Sequence, residues 1–270
     1  MSELALVTGA TSGIGRAFAL RLGAEGYNLV AVGRRRDRLA QLVAALPNIE
    51  VRPVVADLGT DAGVETVANV CATERVTMLV NNAGVAHYMP FAELPADKAS
   101  ELLHVKVVAP TLLARAAAPG MISRGAGTII NVSGMLAFSG PASRERLPLR
   151  RAVYTATLAH LVALSQALHE ELKSHGLRVQ ALCPGLVATE FHERQGFDLS
   201  AVPRMSADDV VTASLRGLQL GEVVCAPGVH DPDLLDAVFH AGLAAFGAQV
   251  PQLAERYRAR GQRRDACGRA

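Results

Sequence analysis

Seven short apolar runs, spaced by stretches long enough to hold a helix, restrict this chain more than any other feature. They fall at residues 4–8, 29–33, 51–56, 77–81, 128–132, 178–183 and 222–225. None alternates apolar with polar residues, so each predicts a strand covered on both faces rather than one with a wet side. Parallel strands need crossovers of a dozen or more residues, and the intervening segments supply them. The expected fold is therefore α/β, a single domain built on a doubly wound seven-stranded parallel sheet. Helices are expected at 15–22, 37–46 and 152–174. The last carries the stripe Val153, Leu158, Leu161, Val162, Leu164, Leu168 and Leu172. Pro95 and Pro110 are expected to bound or kink the segment 93–118.

One domain over 1–255 accounts for the pattern, followed by a basic tail, 256–270, expected to be disordered. The stretch 188–214 is too long for a simple connection and follows a strand's carboxyl end, where open sheets of this kind take ligands. It reads as a substrate loop.

Composition excludes several classes. With 27 Lys and Arg against 25 Asp and Glu, the chain has no broad basic surface, and it has no Trp, so no nucleic-acid partner is expected. Cys71, Cys183, Cys225 and Cys267 lack metal-ligand spacing, which predicts reduced thiols and no metal. No run of about 18 uninterrupted apolar residues and no leader-like N-terminus is present. The expectation is a cytoplasmic protein without membrane contact.

The loop Thr8–Gly15, TGATSGIG, lies between the first strand and the first helix. Gly9 permits the tight turn, Gly13 lets backbone approach a pyrophosphate, and Gly15 lets the helix pack closely. Thr11, Ser12 and Ile14 line the same turn, and the helix start offers positive dipole. This is a Rossmann-type dinucleotide site. At the end of the second strand an NAD-selective site would place an acid against the ribose 2′-hydroxyl, whereas this chain reads Gly33-Arg34-Arg35-Arg36. Arginines there form charge-assisted bonds to a 2′-phosphate, so the cofactor is expected to be NADP(H).

Six motifs in order then carry a resemblance. They are TGATSGIG, Asp57-Leu58, NNAG at Asn81–Gly84, INVS at Ile130–Ser133, Tyr154, and CPGLVATE at Cys183–Glu190. From Leu4 to about Gly228 the sequence resembles the short-chain dehydrogenase/reductase family, whose members transfer hydride between a nicotinamide and a carbonyl or alcohol. The resemblance places Asp57 and Leu58 at the adenine, and Asn82, Ala83 and Gly84 at the adenosine ribose. It places Pro184, Gly185, Val187 and Thr189 along the nicotinamide and pyrophosphate. It also implies a homodimer or homotetramer.

The family's catalytic Asn, Ser, Tyr, Lys set is mostly replaced. Tyr154 stands at the tyrosine position, but Leu158 stands where the lysine belongs, Lys106 where the asparagine belongs, and Gly134 where the serine belongs. Tyr154 is expected to donate the proton and to touch the nicotinamide half. Two compensations are open: Lys106 could supply the lost ammonium, and Ser133 the lost hydroxyl, though adjacent strand residues face opposite sides and Ser133 would need a bulge. Met135, Leu136, Phe138, Val187 and Phe191 predict a hydrophobic carbonyl or alcohol substrate, as in a ketoreductase. His192 could face substrate or solvent. The competing reading is a cofactor-binding protein whose redox catalysis is lost, or repurposed to amine chemistry through Lys106.

Overall fold

The computed structural model describes residues 3–143, 145 and 150–257. The basic segment 141–151 is thus only partly described, and residues 258–270 of the expected tail, with Cys267, lie outside it. The chain divides into two compact units, 1–228 and 229–270, where one domain over 1–255 was expected.

In the first unit the seven expected strands form one parallel sheet: β1 (Leu4–Thr8), β2 (Asn28–Gly33), β3 (Val51–Val55), β4 (Met78–Asn81), β5 (Gly127–Val132), β6 (Leu177–Leu182) and β7 (Val224–Cys225). Their order is β3-β2-β1-β4-β5-β6-β7. All pairs are parallel, with Leu6 opposite Val30 on one side and Leu79 on the other. Pro53 lies in β3, an edge strand, where a missing ladder donor is tolerated. The run at 222–225 shortens to two residues because it pairs only with the end of β6.

The helices are α1 (Gly13–Ala24), α2 (Arg36–Ala45), α3 (Asp61–Thr73), α4 (Ala96–Leu103), α5 (Ala109–Arg124), α6 (Ala152–Leu172), α7 (Glu190–Glu193) and α8 (Ala207–Leu220). They cover the sheet from both sides. One apolar layer joins Phe18, Leu22, Leu39 and Leu42 to Val210 and Val211, and the other joins Val64, Val67, Leu113 and Met121 to Leu79 and Ile129. Between the layers a buried polar chain locks β4, β5 and α6 in register. Asn81 donates to Asn131 Oδ1 at 2.9 Å, Asn131 to Ser165 Oγ at 2.9 Å, and Ser165 to the Leu161 carbonyl at 2.7 Å.

Pro95 caps α4, and Pro110 lies in the first turn of α5, as their missing donors allow. Between α4 and α5 the run widens into a π turn, His104–Val108. Pro110 cannot bond back to Lys106 and its ring crowds that carbonyl, so the turn opens instead of the helix ending. Lys106 sits in this turn.

The segment 188–214 is not one loop. Ser206 caps α8 by accepting from the Asp209 amide at 3.0 Å, so the irregular part ends at 206. Its base is pinned by a bridge between Val187 and Met205. The second unit contains a separate helix, α9 (Asp233–Gly247), which leaves Leu234, Val238, Leu243 and Phe246 exposed.

Candidate active site

The strand order reverses between β1 and β4, and the crevice at their carboxyl ends is where a doubly wound sheet takes a dinucleotide. Here the glycine loop meets the NNAG turn. The Thr8 hydroxyl donates to the Val80 carbonyl at 3.3 Å and accepts from the Asn82 and Ala83 amides at 2.9 and 3.0 Å. Asn82 Nδ2 donates back to the Thr8 carbonyl at 2.9 Å. Gly9 and Gly13 have φ of +66° and +51°, left-handed values that disfavour any side chain. A methyl on Gly9 would come within 2.8 Å of Asn82 Nδ2, and one on Gly15 would collide with the Gly9 carbonyl.

This crevice opens into a cavity of ≈ 970 Å³, at the upper end for ligand pockets. Gly9, Thr11, Ser12, Gly13 and Ile14 line it along the glycine loop; Arg34 and Arg35 line it after β2, and Asp57 and Leu58 after β3. Asn82, Ala83, Gly84, Pro184, Gly185, Val187 and Thr189 line its walls, and Lys106, Ser133 and Tyr154 its far end. The structure thus brings these residues to one cavity. Gly15 does not line it and is buried in the first turn of α1.

The two arginines differ. Arg34 is half-exposed and lies 3.6 Å from Asp57 and 3.9 Å from Glu101. Arg35 points across the glycine loop: its terminal nitrogen donates to Thr11 Oγ1 at 2.9 Å, Ser12 Oγ at 3.0 Å and Glu190 Oε1 at 2.9 Å. Asp57 holds its own turn by accepting from the Gly59 amide at 2.9 Å.

At the far end Tyr154 is buried on α6, one turn before Leu158. Its ring lies edge-on to Tyr88, with centroids 5.6 Å apart, and tilted against Phe191 at 6.5 Å. Tyr88 also meets Phe197 at 5.4 Å. Burial, and then the proximity of Tyr88, push the Tyr154 phenol well above its ordinary value. Lys106 is fully buried, and burial without a carboxylate partner lowers its ammonium to about 8. Its Nζ donates to the Val132 carbonyl at 3.1 Å and packs beneath Gly84, where a methyl group would touch it at 2.9 Å. No hydrogen bond among the described residues joins Lys106 to Tyr154.

Ser133 extends the β5–β6 ladder without a bulge, its amide bonded to the Leu182 carbonyl at 2.8 Å. Its hydroxyl proton goes to the Leu158 carbonyl at 2.8 Å, so donation to a substrate would cost that bond. Gly134 is extended, with φ 168°, and a methyl there would meet Leu158 Cδ1 at 3.5 Å and the Pro184 carbonyl at 3.6 Å, ordinary contact distances. The absent serine is therefore not excluded by space.

Sequence reasoning missed Tyr88, Phe197 and Leu199 as cavity residues. Tyr88 follows the NNAG turn by only a few residues, and its phenol beside a catalytic-type tyrosine was the available signal. Phe197 and Leu199 lie in irregular chain with no periodicity to read.

The cradle fits a dinucleotide: glycines at positions a Cβ would fill, a helix start at the glycine loop, and a guanidinium aimed over that loop. The family model of the short chain dehydrogenases matches residues 3–198, and the chain belongs to this oxidoreductase family. It is 33% identical over 231 residues to a very-long-chain 3-oxoacyl-CoA reductase of Mus musculus, covering 81% of this chain and 70% of that protein. It is 32% identical over 199 residues to the human inactive hydroxysteroid dehydrogenase-like protein 1, covering 72% of this chain and 58% of that one. The chain thus spans 58–70% of the length of these two relatives. Among solved structures, a short-chain dehydrogenase from Sphingobium yanoikuyae in complex with NADPH superposes with a TM-score of 0.88 at 33% identity, covering 94% of this chain and all of that one. Members of the family bind NAD(P) and act on small-molecule substrates.

The relatives overturn the cytoplasmic placement expected from the sequence. A very-long-chain 3-oxoacyl group, for which the mouse relative is named, partitions into bilayers through its methylenes. The helical run Ala96–Arg124 is also long and apolar enough, by length and composition, to cross a membrane, although 44% of its most apolar window is buried in the fold. A search for uninterrupted apolar residues misses it because His104, Lys106 and Arg115 break the run.

Proposed function

We propose that the protein is an NADP(H)-dependent reductase of a carbonyl group on a hydrophobic substrate. The observation that carries this reading is one cavity with Arg35 laid across the glycine loop at one end and Tyr154 in an aromatic wall at the other. Gly9, Thr11, Ser12, Gly13 and Ile14 would hold the pyrophosphate, Arg34 and Arg35 the 2′-phosphate, and Asp57 and Leu58 the adenine. Asn82, Ala83 and Gly84 would hold the adenosine ribose, with Pro184, Gly185, Val187 and Thr189 beside the nicotinamide. The bound cofactor supplies hydride.

Tyr154 is the proton donor of this reading. A phenol raised above its ordinary value by burial stays protonated at neutral pH and so is ready to give a proton to a forming alkoxide, whereas the reverse step draws on its scarce ionised form. In the family pattern the lysine offsets this; Leu158 does not. Tyr88, Met135, Leu136, Phe191, Phe197 and Leu199 give the substrate an apolar seat. The protein is read as a homodimer or homotetramer, as family resemblance implies.

Calorimetric titration with NADPH, followed by NADPH oxidation against a panel of long-chain and bulky ketones, tests the reading. NADPH binding with turnover in the reductive direction is expected. A second reading, cofactor binding without turnover, is favoured by Leu158 and Gly134, which leave Tyr154 without the ammonium and the serine hydroxyl of the family pattern and with Tyr88 as its hydroxyl partner. Lys106 amine chemistry belongs with that reading. Tight NADPH binding with no oxidation by any ketone would decide for it.

A further inference from the structure

We infer that Glu190 is a built-in stand-in for the cofactor's 2′-phosphate, held on Arg35 until that phosphate displaces it, and that it thereby tunes NADPH affinity separately from NADH affinity. The inference rests on the NADP(H) reading above.

Glu190 opens α7, the first turn of the irregular segment that ends at Ser206. Thr189 fixes this turn twice: its hydroxyl accepts from the Phe191 amide at 3.3 Å, and its methyl lies where a Gly13 Cβ would come within 2.9 Å. The start of α7 is therefore seated on the glycine loop. From there the Glu190 carboxylate reaches Arg35 at 2.9 Å, on the same guanidinium nitrogen that bonds the Thr11 and Ser12 hydroxyls. One anionic oxygen and two hydroxyls around a guanidinium form the set that a phosphate oxygen would join.

Two further facts bear on the exchange. Burial raises the Glu190 carboxyl, but bonds from Arg35 and Ser12 and the charge of Arg194 more than offset it, leaving the group below the ordinary carboxylate range and ionised at neutral pH. The same Oε1 also accepts from Arg194 Nη2, one helical turn along. A displaced Glu190 therefore keeps a cationic partner within α7. A 2′-phosphate carries about −1.5 to −2 charges, outweighs a single carboxylate on Arg35, and would be repelled by one left in place. NADH brings no such group, and its adenosine ribose has no claim on Arg35.

The test is calorimetric titration of the full chain with NADPH and with NADH, for wild type, Glu190→Gln, Arg35→Met and the double variant. Glu190→Gln is expected to tighten NADPH roughly five-fold, the size of one screened charge contact, and to leave NADH within two-fold. In the Arg35→Met background the gain from Glu190→Gln should shrink to the part that charge repulsion alone supplies, because the shared guanidinium is gone. Equal effects on both cofactors, no effect on NADPH, or an effect undiminished without Arg35 would each overturn the inference. If the wild-type chain binds NADH but not NADPH, the functional reading fails together with it. NADPH binding that is indifferent to Glu190 defeats the stand-in alone. Circular dichroism and a cooperative thermal transition for each variant show that it is folded.

Discussion

Leu158 and Gly134 make the chemistry around Tyr154 a matter of two positions. Gly134 has space for a serine Cβ, so Gly134→Ser adds a hydroxyl to the cavity that Tyr154 also lines without moving Leu158 or Pro184. One donor to a developing oxyanion is commonly worth about 10²–10³-fold in rate. The variant is expected to raise reductive kcat at least about ten-fold, measured by NADPH oxidation under saturating ketone. An unchanged kcat would mean that the hydroxyl does not reach the reacting oxygen.

Lys106 carries a second prediction. Its folded value, about 8, lies below its ordinary 10.5, so between these two pH values the unfolded chain binds more protons than the folded one. Stability then rises with pH across that window as the buried ammonium loses its charge. Thermal unfolding of wild type against Lys106→Met should show wild type gaining on the variant from about pH 8 to 10.5. A constant difference would place the amine in contact with solvent. The family resemblance sets Lys106 at the asparagine position, but does not say where its Nζ goes. That depends on the π turn and on the carbonyl of Val132, a strand away.

At the scale of elements, what was legible followed from periodicity. Strands buried on both faces leave continuous apolar runs, so β1 was readable to the residue and the others to within two. What escaped depends on contacts between elements. The π turn arises from Pro110 acting on a helix that would otherwise continue, and α8 hid because its residues followed an irregular stretch. Ser206-Ala207-Asp208-Asp209 was nonetheless a visible capping signal. The glycine loop was legible because it needs backbone, not partners. That makes the packing of β1 on α1 testable: Gly15→Ala would drive its methyl into the Gly9 carbonyl and Asn82. It should cost about 1–3 kcal/mol in chemical denaturation and weaken NADPH binding more than ten-fold. A variant with wild-type stability and affinity would show that the loop can relax.

For the molecule as a whole, the two compact units are unequal in size. Every residue lining the large cavity lies between Gly9 and Leu199, and every residue of the three apolar clusters lies at or before Cys225. The sheet is complete by β7, and no described residue of α9 is buried. The cofactor cradle, the aromatic wall and the Arg35–Glu190 pair are therefore assembled entirely from the first unit. A chain ended after Gly228 is expected to unfold in one cooperative transition and to bind NADPH within about two-fold of the full chain, an energy difference of about 0.4 kcal/mol. Calorimetry and circular dichroism would check this. A loss of NADPH binding on truncation would mean that the second unit contributes to the site, and that the cavity lining alone does not define what the cofactor meets.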